Sequence, residues 1–167
     1  MPSAKPHRDE IERLNSCSER FKPLAWQLYE LVNKACALEL CEPCVWFGYR
    51  SAQVQLEIWS RDRVLKYPTA DLWDPRSWDL KDPSKKPATY AFPGESAHNY
   101  GDAVDIALIE GEGAKRHWIA DKGTPGDRWH RIIGAAADKL GLAWGGRFPT
   151  FDGAHVQHPA WRLSKKK

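Results

Sequence analysis

The run Ala103-Val-Asp-Ile-Ala-Leu-Ile109 constrains this chain most: it is apolar and β-rich, and only Asp105 interrupts it. Such a run reads as a buried strand. A bare carboxylate cannot be buried there without a large penalty, so Asp105 must be paired, hydrogen-bonded or bound to a metal. His98 precedes it by seven positions in GESAHNYGDAVDIAL. Side chains that share a partner on one helix sit three or four positions apart. A site built from His98 and Asp105 is therefore not borne on a helix, and it calls for a cation with further ligands from elsewhere.

The chain has six histidines: His7, His98, His117, His130, His155 and His158. His7 falls in an N-terminal stretch expected to fray, and His117 and His130 fall in or near a polar helical region. His155 lies in FDGAHVQ, a short apolar strand candidate close behind Trp144-Gly145-Gly146. Two histidines and one carboxylate leave the fourth position of a tetrahedral zinc open, as catalytic sites do. A zinc ion there brings the pKa of a water close to neutral. Asp152, three residues before His155, is placed to act as general base. Arg50, at the end of the strand-like CVWFGY, is the candidate cation for a developing oxyanion.

The rest of the chain supports an α+β domain with a small antiparallel sheet and helices packed on it. Short helical character is expected over Asp9–Asn15. A longer helix is expected from Ser18 or Phe21 to Leu40, with apolar residues at helical spacing and Pro23 in its first turn. Cys44–Tyr49 reads as a strand, and Ser51 caps a helix running to about Leu65. Tyr67–Glu95, rich in Pro, Asp, Lys and Trp, shows no period and is expected to be a functional or mobile loop. A helix is expected from about Asp127 to Leu140, ended by Gly141. Short strands are expected at Leu142–Trp144 and Ala154–Gln157. Residues 1–167 are read as one domain, with frayed termini at 1–8 and 163–167.

Nine tryptophans are many for 167 residues, so some rings should line a cleft. The net charge is +3 and the tail is Lys165-Lys166-Lys167, a solvated terminus or an attraction to an anionic polymer. No nucleic-acid motif is recognised, no apolar run is long enough to span a membrane, and the N-terminus lacks the apolar core of a signal peptide. Cys17, Cys36, Cys41 and Cys44 are read as reduced, semi-buried thiols. Cys41-Glu-Pro-Cys44 has no second pair to complete a structural zinc site.

Three motifs carry a resemblance. Ser96-x-His98-x-x-Gly101-x-Ala103-x-Asp105 resembles the SxHxxGxAxD signature of the zinc peptidases that cut peptidoglycan stem peptides. These are D-Ala-D-Ala carboxypeptidases, dipeptidases and L-alanyl-D-glutamate endopeptidases, phage endolysins among them. Gly48-Tyr49-Arg50-Ser51-x-x-x-Gln55 is similar to that family's GYRSxxxQ. Trp144-Gly145-Gly146 followed by Asp152-x-x-His155 is similar to its WGG…[DE]xxH. The order is the family's, and the span is Gly48 to Gln157.

The resemblance implies the fold shared with hedgehog signalling domains. It implies zinc on His98, Asp105 and His155, Asp152 as general base, and Arg50 on the tetrahedral intermediate. It also implies substrate contacts from Ser96 and Trp144, with Gln55 in that set as a support near Arg50. Phe148 replaces a Trp common after WGG. Val156-Gln157 replaces Phe-Glu, a change expected to touch only the rim.

The function implied is hydrolysis of the L-alanyl-D-glutamate bond by an endolysin-like monomer. It would be made in the cytoplasm and act on the wall after a holin-type release. The alternatives are a D-Ala-D-Ala carboxypeptidase or dipeptidase, or a non-catalytic zinc-bound module.

Overall fold

The computed structural model describes residues 6–119 and 127–166, the side chain of Lys166 excepted. Helix α1 spans Arg8–Asn15 and α2 spans Lys22–Glu39. The Glu10 carboxylate caps α1 by accepting from His7 N at 2.7 Å, and its other oxygen accepts from Val45 N at 2.8 Å. One side chain thus ends a helix and fastens it to the sheet. Pro23 sits in the first turn of α2, and Leu28, Val32 and Cys36 are fully buried along its inner face.

The strands are β1 (Glu42–Phe47), β2 (Arg63–Leu65), β3 (Trp78–Leu80), β4 (Ala103–Glu110), β5 (His117–Trp118), β6 (Ala143–Trp144) and β7 (His155–Gln157). Helix α3 is Ala52–Ser60; α4 is Ala135–Lys139, preceded by a π turn over His130–Gly134. The main sheet runs β1-β4-β7-β6, with β5 on the far end of β4, and every pairing is antiparallel. This is the α+β architecture the sequence predicts.

Strand β4 organises the molecule. Val104, Ile106 and Leu108 are fully buried in the main core with residues of α2 and α4. Side chains alternate across a strand, so Ala103, Asp105 and Ala107 share the opposite face. The candidate site occupies that second face.

Three expectations change. The helix after Ser51 stops at Ser60 instead of about Leu65, because Arg63–Leu65 pairs with Trp78–Leu80. Arg63 secures the switch by donating to Trp59 O at 2.8 Å and Thr89 O at 3.1 Å. The Tyr67–Glu95 stretch therefore carries a strand and is tied to the body; short strands with so little alternation leave no periodic signal. His117, expected near a helix, lies in β5.

The chain end differs too. Residues 1–5 and Lys167 lie outside the described residues, but Trp161–Lys166 forms a 3₁₀ segment where fraying was expected from Leu163. The Ser164 hydroxyl donates to Asp102 Oδ2 at 2.8 Å. Ser18 Oγ donates to Asp102 Oδ1 at 2.7 Å, and Arg20 forks onto both carboxylate oxygens. Burial pushes the Asp102 carboxyl up, but these donors together outweigh it and hold its pKa below the ordinary carboxylate value. Gly101 beside it has φ +68°, and an added Cβ would meet Ser18 N at 2.6 Å. Only glycine combines that backbone with that approach.

Candidate metal centre

Asp105 stands in register with Phe47 of β1 on one side and His155 of β7 on the other. Directly opposed residues share a face, so β4 and β7 deliver Asp105 and His155 together. His98 comes from the 3₁₀ turn Ala97–Tyr100, which Ser96 caps by accepting from His98 N at 3.3 Å. That turn is joined to the end of β1 from both directions. Arg50 N donates to His98 O, and Asn99 Nδ2 donates to Arg50 O, each at 2.9 Å. The Tyr100 hydroxyl donates to Gly94 O at 2.9 Å and so closes the loop before the turn.

The ligand atoms of His98, Asp105 and His155 lie within 4.8 Å of one another. His98 Nε2 is 3.0 Å from Asp105 Oδ1 and 3.2 Å from His155 Nδ1, and His155 Nδ1 is 3.0 Å from the same Oδ1. The outer ring nitrogens settle what faces inward. His98 Nδ1 lies 2.7 Å from Gly48 O, and His155 Nε2 lies 2.9 Å from Gln157 Oε1. Each outer nitrogen meets an acceptor and therefore carries the proton. Both inner nitrogens then present lone pairs, alongside a carboxylate.

Three acceptors converge, and a cation resolves their repulsion. Two imidazoles and one carboxylate with outer-shell acceptors suit zinc. Burial is the main influence on both rings and depresses the pKa of His98; on His155 it is outweighed by the adjoining Asp105 carboxylate, an acceptor and a negative charge, and the pKa rises. The Asp105 carboxyl lies well below its ordinary value, because the two rings together outweigh a burial that would raise it.

The centre forms part of the floor of a cleft of about 790 Å³. Arg50, Ser96 and Asp152 line the same cleft. Arg50 Nη2 donates to Asp105 Oδ2 at 3.0 Å and Nη1 to Gln55 Oε1 at 3.0 Å. Asp152 is solvent-exposed by area but stands between the cleft walls. This enclosure, and secondarily the Asp105 charge, raises its carboxyl pKa above the ordinary value.

Of the residues grouped with the substrate, Gln55 supports Arg50 as expected, and Trp144 lies elsewhere. Gln55 is fully buried, its amide donating to Ala91 O at 2.7 Å, so it holds Arg50 against the 89–91 strap. Trp144 is 1% exposed and donates its indole N–H to Gly153 O at 2.7 Å. It braces the 152–155 turn from within the core.

The turn that carries Asp152 and His155 is closed by backbone bonds from Asp152 N to Gly145 O and from His155 N to Asp152 O. Residues 91–158 match the model of the D-alanyl-D-alanine carboxypeptidase family. The matched segment of this peptidase family contains His98, Asp105, Asp152 and His155 and begins after Arg50 and Gln55.

Gln157 is the contact the sequence reading missed. Expected on the rim, it holds the outer nitrogen of His155. The signal was available in its two-residue spacing, because i and i+2 share a face of a strand. Gln157→Leu is expected to weaken zinc binding about tenfold or more, as loss of an outer-shell partner does. Titration against a chromogenic chelator checks this, and unchanged affinity would return Gln157 to the rim.

Proposed function

We propose that this protein is a zinc-dependent peptidoglycan peptidase that hydrolyses the L-alanyl-D-glutamate bond of stem peptides. The observation that carries the reading is the convergence of three lone-pair ligands in a cleft also lined by an enclosed carboxylate and a buried arginine. His98, Asp105 and His155 would hold the metal. A zinc ion bound there supplies Lewis acidity for a peptide carbonyl and for a water.

The chain's own groups supply the rest. Asp152, with its raised pKa, takes the proton of the attacking water and returns it to the departing amine. Arg50 offers fixed positive charge to the oxygen of the tetrahedral species. Ser96, on the cleft wall, meets the peptide backbone. Gln55 and Trp144 act at one remove, through Arg50 and through the 152–155 turn.

The choice of bond rests on His98-Asn99-Tyr100-Gly101, which resembles the endopeptidase and endolysin branch. The matched family's description favours a second reading, removal of a terminal D-alanine. Arg61 and Arg162 line the cleft without an ion-pair partner among the described residues, and either cation suits a terminal carboxylate.

Digestion of purified peptidoglycan separates the two. Mass spectrometry should find stem peptides that begin at D-glutamate. Free D-alanine or its dipeptide, with the L-alanyl-D-glutamate bond intact, would establish the second reading.

A further inference from the structure

The second face of the main sheet continues past the metal centre. On β4, Asp105 is followed on that face by Ala107 and then Ile109, and Ile109 pairs with Trp118 of β5. Trp118 stacks on Trp46 of β1 with ring centroids 4.6 Å apart and planes within 14°. Trp46 lines the cleft that holds the centre, and its neighbour Phe47 shares the Asp105 rung. These rings are 48% and 45% exposed, whereas Trp129, Trp144 and Trp161 are all buried.

Large aromatic rings left half in water, yet fixed against each other, form a flat, pre-ordered surface. Its rim is polar. Glu42, which pairs with Ile109 and so shares its face, accepts from Arg116 Nη2 at 2.6 Å. A ligand for such a surface has one flat apolar face and an edge rich in hydroxyl or amide groups. A pyranose ring has that form: its C–H bonds make the face and its substituents the edge.

A second copy of this chain fits poorly. Two half-exposed tryptophans offer on the order of 200 Å², against roughly 800 Å² per partner in a stable interface.

We propose that Trp46 and Trp118 form a sugar platform that receives the N-acetylated pyranoses of a glycan strand next to the metal centre. This deepens the peptidase reading and rests on it for the identity of the glycan. Reach supports it. Each residue of extended chain spans about 3.5 Å. In a stem peptide, one alanine and a short linker separate the sugar from the L-alanyl-D-glutamate bond, roughly 7 Å. From Asp105 to Ile109 is about 13 Å along the strand, and Trp46 stands at the near end of that interval.

The first test is independent of turnover. Saturation-transfer NMR with the tetramer of N-acetylglucosamine should show transfer to the sugar protons, lost in Trp118→Ala and reduced in Trp46→Ala. Far-ultraviolet circular dichroism should show both variants folded. The second test compares a free stem peptide with the same peptide carried on its disaccharide. The wild type should have the lower KM for the glycan-linked form. Trp118→Ala should raise that KM about five- to tenfold and leave the free peptide unchanged.

Absence of saturation transfer, or equal KM values for the two substrates in the wild type, overturns the platform while leaving the peptidase reading intact. Sugar binding in a protein that cleaves neither substrate upholds the platform and removes the peptidase reading. A dimer that dissociates on Trp118→Ala in sedimentation assigns the face to a second copy and overturns the proposal.

Discussion

Asp152→Asn is expected to keep its metal and to lose turnover by a factor of about 10² to 10⁴. The substitution preserves size and leaves the turn in place, because Asp152 engages the turn through its backbone: N to Gly145 O at 3.0 Å, and O from His155 N at 3.2 Å. What it removes is the ability to accept a proton. The carboxyl is suited to that task, since the cleft walls raise its pKa above the ordinary carboxylate value. It is not one of the three clustered ligands. Metal content, measured by chelator titration, should therefore match the wild type while kcat falls. Chelation of the wild type should abolish hydrolysis by the other route, and zinc should restore it. An Asp152→Asn protein that arrives without metal would make Asp152 a ligand and leave the base unassigned.

The sequence made the centre legible because the chemistry is local and dense. Asp105 inside an apolar run cannot be ignored, and a strand on each side fixes its neighbours: once Ala103–Glu110 is a central strand, His155 needs only a paired strand to meet it. Helix α2 was legible for a similar reason, since a long periodic segment with Pro23 in its first turn signals itself.

What stayed hidden depends on distant partners. Nothing within Arg63–Leu65 or Trp78–Leu80 announces a hairpin, because each is three residues long and takes its form from the other. Trp144 and Gln55 sit inside motif-like stretches, so their proximity to the site was visible, but a motif does not say which of its members face the cleft. Burial decides that: Trp144 and Gln55 are interior, and Gln157, dismissed as rim, reaches a ligand ring.

Arg50→Ala is expected to lower kcat by about 10² to 10³, the usual cost of losing one charged donor to a developing oxyanion. It should also weaken the metal, and the two effects can be separated. Arg50 spends Nη2 on Asp105 Oδ2 and Nη1 on Gln55 Oε1, while its buried Nε has no partner among the described residues. The Arg50 guanidinium also lies 4.3 Å over the Phe47 ring. Burial lowers its pKa, with Asp105 and Asp152 opposing, but a guanidinium keeps its charge at any working pH. Removing it leaves Asp105 Oδ2 without its partner, so the carboxylate can rotate and metal affinity should fall. At saturating zinc that loss is masked, and any remaining fall in kcat belongs to the transition state. Arg50→Lys restores the charge without the two-armed grip and should recover part of kcat but not the Gln55 contact. Gln55→Ala makes the converse change: the charge stays and its position loosens. A variant Arg50→Ala with unchanged kcat at saturating zinc would confine Arg50 to holding Asp105, and the oxyanion would need another donor.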